Sequence, residues 1–200
     1  MDAIALVGME EGGHPGANQL SAFVNGAFAL EQIRIPMVIG GGIGNGRQIA
    51  AALALGADGV VMGSRFMVAS EITAHDALKQ RIVESDAGCS TAILSSLGDT
   101  WRVLANDTAR EVQRLEAGGA CSHADFGDLI LSSRTRQRVY RDGDVEAGIV
   151  SLGPAGGFAD GIVPAAQIVE RLMRDAANAA RRFAGRLEWV APTQACLPGA

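Results

Sequence analysis

Three times within the first 66 residues an apolar run is closed by a glycine-rich turn. Ala3 to Val7 precedes Glu10-Glu11-Gly12-Gly13-His14-Pro15-Gly16, Val38-Ile39 precedes Gly40-Gly41-Gly42-Ile43-Gly44, and Val60-Val61-Met62 precedes Gly63-Ser64-Arg65-Phe66. The runs are apolar without alternation, which fits strands covered on both faces, as in a parallel sheet flanked by helices. Helical patterns fill the gaps. Gln19 to Ile33 carries Leu20, Phe23, Val24, Ala27 and Phe28 at helical spacing until Arg34-Ile35-Pro36 stops it. Asn45 to Leu55 reads as a second helix with Asn45 as N-cap and Gly56 as its stop. A third is expected from Phe66 to about Asp86, with Ser64 in the capping position. The order β-α-β-α-β-α with short connections specifies an α/β chain whose parallel strands are joined by right-handed crossovers. All three glycine turns then follow strand C-termini and share one face of the sheet. Three such units fit a (β/α)8 barrel, where that face carries the active site, or an open doubly wound sheet.

Composition narrows the class. An apolar share of 48% with 20% charged residues suits a globular chain that buries a core. Aromatic residues are only 4% against 26 glycines, which favours tight turns and close helix packing over an aromatic binding face. A formal charge of -5 without a basic patch argues against nucleic acid. No run approaches the roughly 20 apolar residues that span a bilayer, and the N-terminus lacks a basic segment followed by a signal region. The expectation is no membrane association and a cytoplasmic location. Cys89, Cys121 and Cys196 are odd in number and widely spaced, so they read as free thiols, with no metal site.

Beyond residue 86 the repeat is lost. Ile93 to Leu97 reads as a strand, Thr100 to Ala117 as one long helix with Leu104, Val112 and Leu115 on one side, and Arg134 to Arg141 as a basic, partly alternating stretch. The expected organisation is βα units over 1–86, a smaller substrate-side domain over 87–150, a return to the first unit over 151–187 with a helix from Pro164 to Phe183, and a loose tail over 188–200.

The turns carry the chemistry. Those at Gly40 to Gly44 and at Gly63-Ser64 each open a helical segment, where backbone N–H groups and the helix dipole favour an anion. One such turn is ordinary strand-end geometry. Two in consecutive units, with the Ser64 hydroxyl and the Arg65 guanidinium beside them, point to one phosphate. His14, set between Gly13 and Gly16, is the candidate base, because imidazole exchanges a proton near neutrality. His75 and His123 read as ordinary surface residues. Glu10 and Glu11 are adjacent on an extended segment and point apart, which excludes a shared-proton dyad. The arginines at 134, 136, 138 and 141 read as a solvated face.

Taken together, Glu11-Gly12-Gly13-His14-x-Gly16, Pro36-x-x-x-x-Gly41-Gly42-Ile43 and Ala52-x-x-Leu55-Gly56-Ala57-Asp58-Gly59-Val60-x-Met62-Gly63-Ser64-Arg65-Phe66 resemble the nitronate monooxygenase family, formerly called 2-nitropropane dioxygenase. The resemblance continues weakly through Trp101-Arg102-Val103, Asp144-Val145-x-Ala147-Gly148 and Gly157 to Val169. It implies the C-terminal part of a (β/α)8 barrel of TIM type, with a smaller second domain over non-covalent FMN. By the same resemblance Gly12, Gly13, Gly41, Gly42, Met62, Gly63, Ser64 and Arg65 hold the flavin, mainly its phosphate, and His14 is the catalytic base. The implied reaction oxidises nitroalkanes or alkyl nitronates with O2 to carbonyl compounds and nitrite. The motifs also resemble those of FMN-dependent NAD(P)H oxidoreductases of the enoyl-acyl-carrier-protein reductase and quinone reductase types. The resemblance starts near the family's sixth strand, which implies a homo-oligomer, pairing with a missing N-terminal half, or an inactive truncated remnant.

Overall fold

The structure, a computed structural model, describes residues 1–16 and 19–186. Strands β1 (Ile4–Val7), β2 (Met37–Gly40) and β3 (Gly59–Val61) form a parallel sheet in the order β1-β2-β3. Ile4 pairs with Met37 and Val38 with Gly59, so the three glycine turns leave the sheet side by side at its carboxyl edge. Helix α1 (Ala22–Gln32) and helix α2 (Gly46–Leu55) are the crossovers. Of the apolar residues singled out on α1, Phe23 packs against the core, whereas Phe28 is 61% exposed and Val24 46%. Ala22 and Gly26 are buried instead, and a Cβ on Gly26 would reach Ile39 Cδ1 at 2.6 Å, so glycine sets how closely this helix lies on the sheet. Helix α2 starts with a capping box in which the Asn45 side chain accepts from the Gln48 amide at 3.0 Å. It stops at Gly56, whose φ of 113° is a left-handed C-terminal cap.

After β3 the expected long helix is broken. A single 3-10 turn at Ser64–Val68 is followed by irregular chain and then by helix α3 (Asp76–Val83). The interruption has a tertiary cause: Ser70 N–H donates to the Val163 carbonyl at 3.0 Å, so the returning chain takes the hydrogen bond that a continuing helix would use. Ser64 is not a cap. Its hydroxyl accepts from the Gly153 amide at 2.8 Å.

The next segment is an antiparallel pair, β4 (Ser90–Ile93) and β5 (Trp101–Leu104), with Ile93 opposite Trp101. The strand expected over Ile93 to Leu97 lies upstream instead and shares only Ile93, because Leu94 turns to φ 58° and Ser95–Leu97 form a 3-10 turn. Thr100 to Ala117 is not one helix, since its first part is β5 and only Asp107–Ala117 is helical, as α4. Asn106 makes the switch. Fully buried, it accepts from Ala109 N–H at 2.9 Å and donates to the carbonyls of Val145 and Gly148, each at 2.8 Å. Short helices α5 (His123–Phe126) and α6 (Ser132–Thr135) follow, and α6 runs into a π-helical turn at Arg136–Arg141, so the arginine stretch is helical, not alternating. Arg134 pairs with Asp128 and Arg138 with Asp144, both at the surface. Helix α7 (Ala165–Ala184) returns to pack on α2 through Ile168, Leu172 and Ala176, a stripe at four-residue spacing.

The main hydrophobic cluster lies under the parallel sheet and a second gathers Ile93, Val103, Val112, Phe126 and Ile149. Residues 87–150 feed both, because Cys89, Leu104 and Val139 belong to the first. Among the described residues no helix is long and apolar enough to cross a membrane. The tail over 188–200, with Cys196, lies outside the described residues.

Candidate active site

The three strand-end turns enclose a cleft of about 190 Å3 lined by Glu10, Glu11, Gly12, Gly41, Gly42, Ile43, Met62, Gly63, Ser64 and Ser151, among others. Its shape comes from backbone brought close by glycine. A Cβ on Gly12 would lie 2.5 Å from the Gly153 amide nitrogen, and Gly153 in turn abuts the Glu10 carbonyl. Gly41 and Gly42 have φ of 93° and 71°, left-handed values that side chains disfavour. A Cβ on Gly42 would sit 2.9 Å from Glu10 Cβ, whereas one on Gly63 would meet nothing within 4 Å. The cleft is walled on one side and open on the other. Gln48 fixes the middle turn, donating to the Gly42 carbonyl at 2.8 Å and accepting from the Gly44 amide at 2.9 Å. Gly153 ties the far wall, its amide donating to Ser64 Oγ and its carbonyl accepting from the Cys89 thiol at 3.7 Å.

Six of the eight residues expected to hold a flavin therefore line one cleft: Gly12, Gly41, Gly42, Met62, Gly63 and Ser64. Two lie elsewhere. Arg65 is 4% exposed, and its Nη2 donates to Asp160 Oδ1 at 2.8 Å, so its charge is spent on an ion pair behind the turn. Gly13 belongs to a backbone bridge with β5: its N–H donates to the Arg102 carbonyl at 2.9 Å, and its carbonyl accepts from Arg102 N–H at 2.7 Å. That bridge joins the two sheets beside His14.

The His14 imidazole is outside the cleft lining and half exposed. It stacks on Trp101 with ring centroids 4.9 Å apart and an interplanar angle of 22°. Its Nε2 lies 3.7 Å from Asp99 Oδ2. Trp101 reaches back to the cleft, where its indole N–H donates to Ser151 Oγ at 2.8 Å. A separate hollow of about 270 Å3 borders this group, lined by Met9, Pro15, Ala92, Asp99, Thr100 and Arg102 among others. Arg102 is held there by an Nε–H bond to the Met9 carbonyl at 2.9 Å.

Two carboxyl groups mark the turn. Glu10 Oε2 accepts from the Ala22 amide at 3.0 Å at the start of α1, a structural task. Glu11 lines the cleft. Burial pushes its carboxyl above the usual range, and nearby His14 pulls it partly back. Asp99, Trp101, Gln48 and Ser151 were not expected as site residues. The signal available for Trp101 was the alternation of Trp101-Arg102-Val103 after a threonine, which marks a strand and not a helix start.

The sequence profile of the nitronate monooxygenase family matches residues 1–175. Among solved structures, FabK from Thermotoga maritima superposes with a TM-score of 0.83 at 31% identity, covering 93% of this chain and 58% of that one. Nitroalkane oxidase from Streptomyces ansochromogenes gives 0.75 at 28% identity, over 91% of this chain and 53% of the other. A Mycobacterium tuberculosis relative, (3aS,4S,5R,7aS)-5-hydroxy-7a-methyl-1-oxo-octahydro-1H-indene-4-carboxyl-CoA dehydrogenase, is 25% identical over 88% of this chain and 59% of its own length. The chain thus spans little more than half the length of the proteins it matches. With that match running from the first strand into α7, the chain belongs to the nitronate monooxygenase family.

Proposed function

We propose that this chain supplies the phosphate cradle and the base of an FMN-dependent nitronate monooxygenase. One observation carries the reading: three successive strand-end turns line a single cleft at the carboxyl edge of a parallel sheet, where ligands of α/β folds bind. The residues fit the phosphate end of a flavin, because bare backbone at Gly41, Gly42 and Gly63 lets an anion approach, and the open side at Gly63 leaves room for it. FMN, when bound, supplies the one-electron chemistry and the reaction with O2 by which a nitronate becomes a carbonyl compound and nitrite. Gly12, Gly41, Gly42, Met62, Gly63 and Ser64 hold and orient that group. His14 takes the α-proton of a neutral nitroalkane onto its imidazole, and an already anionic nitronate bypasses this step. Glu11, when ionised, disfavours the phosphate, so a proton on Glu11 aids binding.

The cleft is smaller than the roughly 300–1,000 Å3 of typical small-molecule sites. In our reading its other wall is completed by further polypeptide, such as additional βα units or a second copy of the chain, in a cytoplasmic assembly. The experiment is to load the purified chain with FMN and read flavin absorbance together with mass in solution. A yellow assembly larger than one chain is expected. A colourless sample that gains no flavin absorbance overturns the proposal and leaves an inactive remnant.

A second reading has its own support. The similarity to FabK, at a TM-score of 0.83, and to a CoA-ester dehydrogenase favours an FMN oxidoreductase that uses NAD(P)H. Anaerobic mixing separates the two: bleaching by a nitronate and not by NADH is the expected outcome, and the reverse installs the second reading. His14→Asn is expected to abolish nitroalkane turnover while nitronate turnover survives, and equal loss of both overturns the role of His14 as base.

A further inference from the structure

We propose that Trp101 and Asp99 are positioning residues for His14, a role that deepens the reading of His14 as the base and rests on it. His14 follows two glycines, so the preceding backbone does little to fix its side chain, and nearly half of that side chain is exposed to solvent. A free imidazole at such a site samples several rotamers. The restraint comes from β5. Its backbone clamps Gly13 through the reciprocal pair with Arg102, and the residue before Arg102 then lies against the ring. The indole covers one imidazole face at 4.9 Å and is itself anchored by its N–H bond to Ser151 on the cleft wall. Ring orientation is thereby tied to the same wall that bounds the cradle.

Asp99 acts at the ring nitrogen Nε2. At 3.7 Å from Nε2 its carboxylate is beyond hydrogen-bond range, so it does not lock a tautomer, yet it is close enough to meet the charge that His14 acquires on taking a proton. The indole face meets the same charge from above, as aromatic faces attract cations within about 6 Å. Glu11 is the other carboxyl near this charge, and Arg102, on β5, is held by the Met9 carbonyl. Both partners thus favour the imidazole after proton transfer more than before it, which is what accelerates that step.

The test uses FMN-loaded protein with a neutral nitroalkane and its nitronate. Trp101→Leu is expected to lower kcat on nitroethane by about tenfold to 100-fold, the size of a misplaced catalytic group, with KM and the ethyl nitronate rate changed less than about twofold. Trp101→Phe, which keeps an aromatic face, is expected to restore most of the loss. Asp99→Asn is expected to cost about threefold on nitroethane at low salt and less at high salt, because the pair is half exposed. A readout independent of turnover is the fluorescence of Trp101 in a Trp189→Phe background, which leaves it the sole tryptophan: its emission is expected to change on His14→Asn. Equal rates for the leucine and phenylalanine variants, or equal losses on both substrates, overturn the positioning role while the base role stands. Unchanged nitroethane turnover in His14→Asn overturns the base reading and this one together, and an emission unmoved by His14→Asn overturns the contact itself.

Discussion

Around the cleft, backbone meets backbone; around His14, side chain meets side chain. The first region uses Gly12, Gly41, Gly42 and Gly153 to bring chain within van der Waals distance of chain, leaving no room for a methyl group at Gly12 or Gly42. The second uses Trp101, which is partly buried, with Asp99 and an imidazole that are both half open to solvent. The contrast teaches that the two regions are under different constraints. The cleft is set by the path of the main chain and admits no methyl group at Gly12 or Gly42, whereas the proposed base is set by a few side-chain contacts, whose loss is expected to cost rate more than fold.

Five substitutions probe that contrast. Gly12→Ala places a Cβ 2.5 Å from Gly153 N and 2.8 Å from Leu152 C, both backbone atoms, so the walls must part. About 3 kcal/mol of stability is expected to go, the upper range for overpacking, together with affinity for FMN. Its neighbour is the control. Gly13→Ala meets nothing within 4 Å and suffers only from φ of 119°, about 1 kcal/mol. Equal urea midpoints for the two variants break the comparison.

Asn106→Ala removes three buried hydrogen bonds at the start of α4, and about 2 kcal/mol is expected to be lost. Urea unfolding followed by Trp101 fluorescence checks it, and an early loss of that signal sharpens the view that the second hydrophobic cluster carries the His14 side. Ser64→Ala leaves the Gly153 amide without its acceptor, for about 1 kcal/mol and a measurable rise in the Kd for FMN by absorbance titration.

The smallest effect concerns Glu11. Its carboxyl is raised above 4.5 by burial, so the folded state holds the proton more tightly than the unfolded chain does. The favourable contribution is complete below 4.5 and is lost as pH rises through the raised value, so ionised Glu11 weakens the fold at neutrality. Glu11→Gln is expected to raise stability at pH 7 slightly, by under ~1 kcal/mol after solvent screening, read as a small rise in Tm. It is also expected to flatten the pH dependence above 4.5 relative to the parent, and a Tm difference that does not change across that window counts against the assignment.

What was legible in the sequence follows the same divide. The three strands, α2 with its Asn45 cap and Gly56 stop, and α7 are local matters of periodicity and punctuation, and the structure places them where those signals lie. Gly41 and Gly42 are legible for the same reason, because their left-handed φ belongs to their own turn, whereas Gly12 is required by the distant backbone of Leu152 and Gly153. What was illegible depends on distant partners. Leu104, Val112 and Leu115 fall at helical spacing, but β4 recruits the first of them into a strand. Ser64 has the composition of a cap, but its hydroxyl is taken by Gly153, 89 residues away. Arg65 beside a phosphate turn reads as a ligand, but Asp160, 95 residues away, claims it. Trp101 stands on His14 only because Gly13 and Arg102 exchange hydrogen bonds across two sheets, a pairing that neither segment announces.

That exchange also makes the molecule readable by deuterium. The amides of Gly13 and Arg102 each give their proton to the other's carbonyl, so neither reaches solvent until the strand lifts off the turn. The two protons are expected to exchange at one common rate, which measures how often β5 parts from the histidine it steadies. A cofactor seated in the cleft would slow both together, giving a gauge of occupancy that no colour change is needed to read.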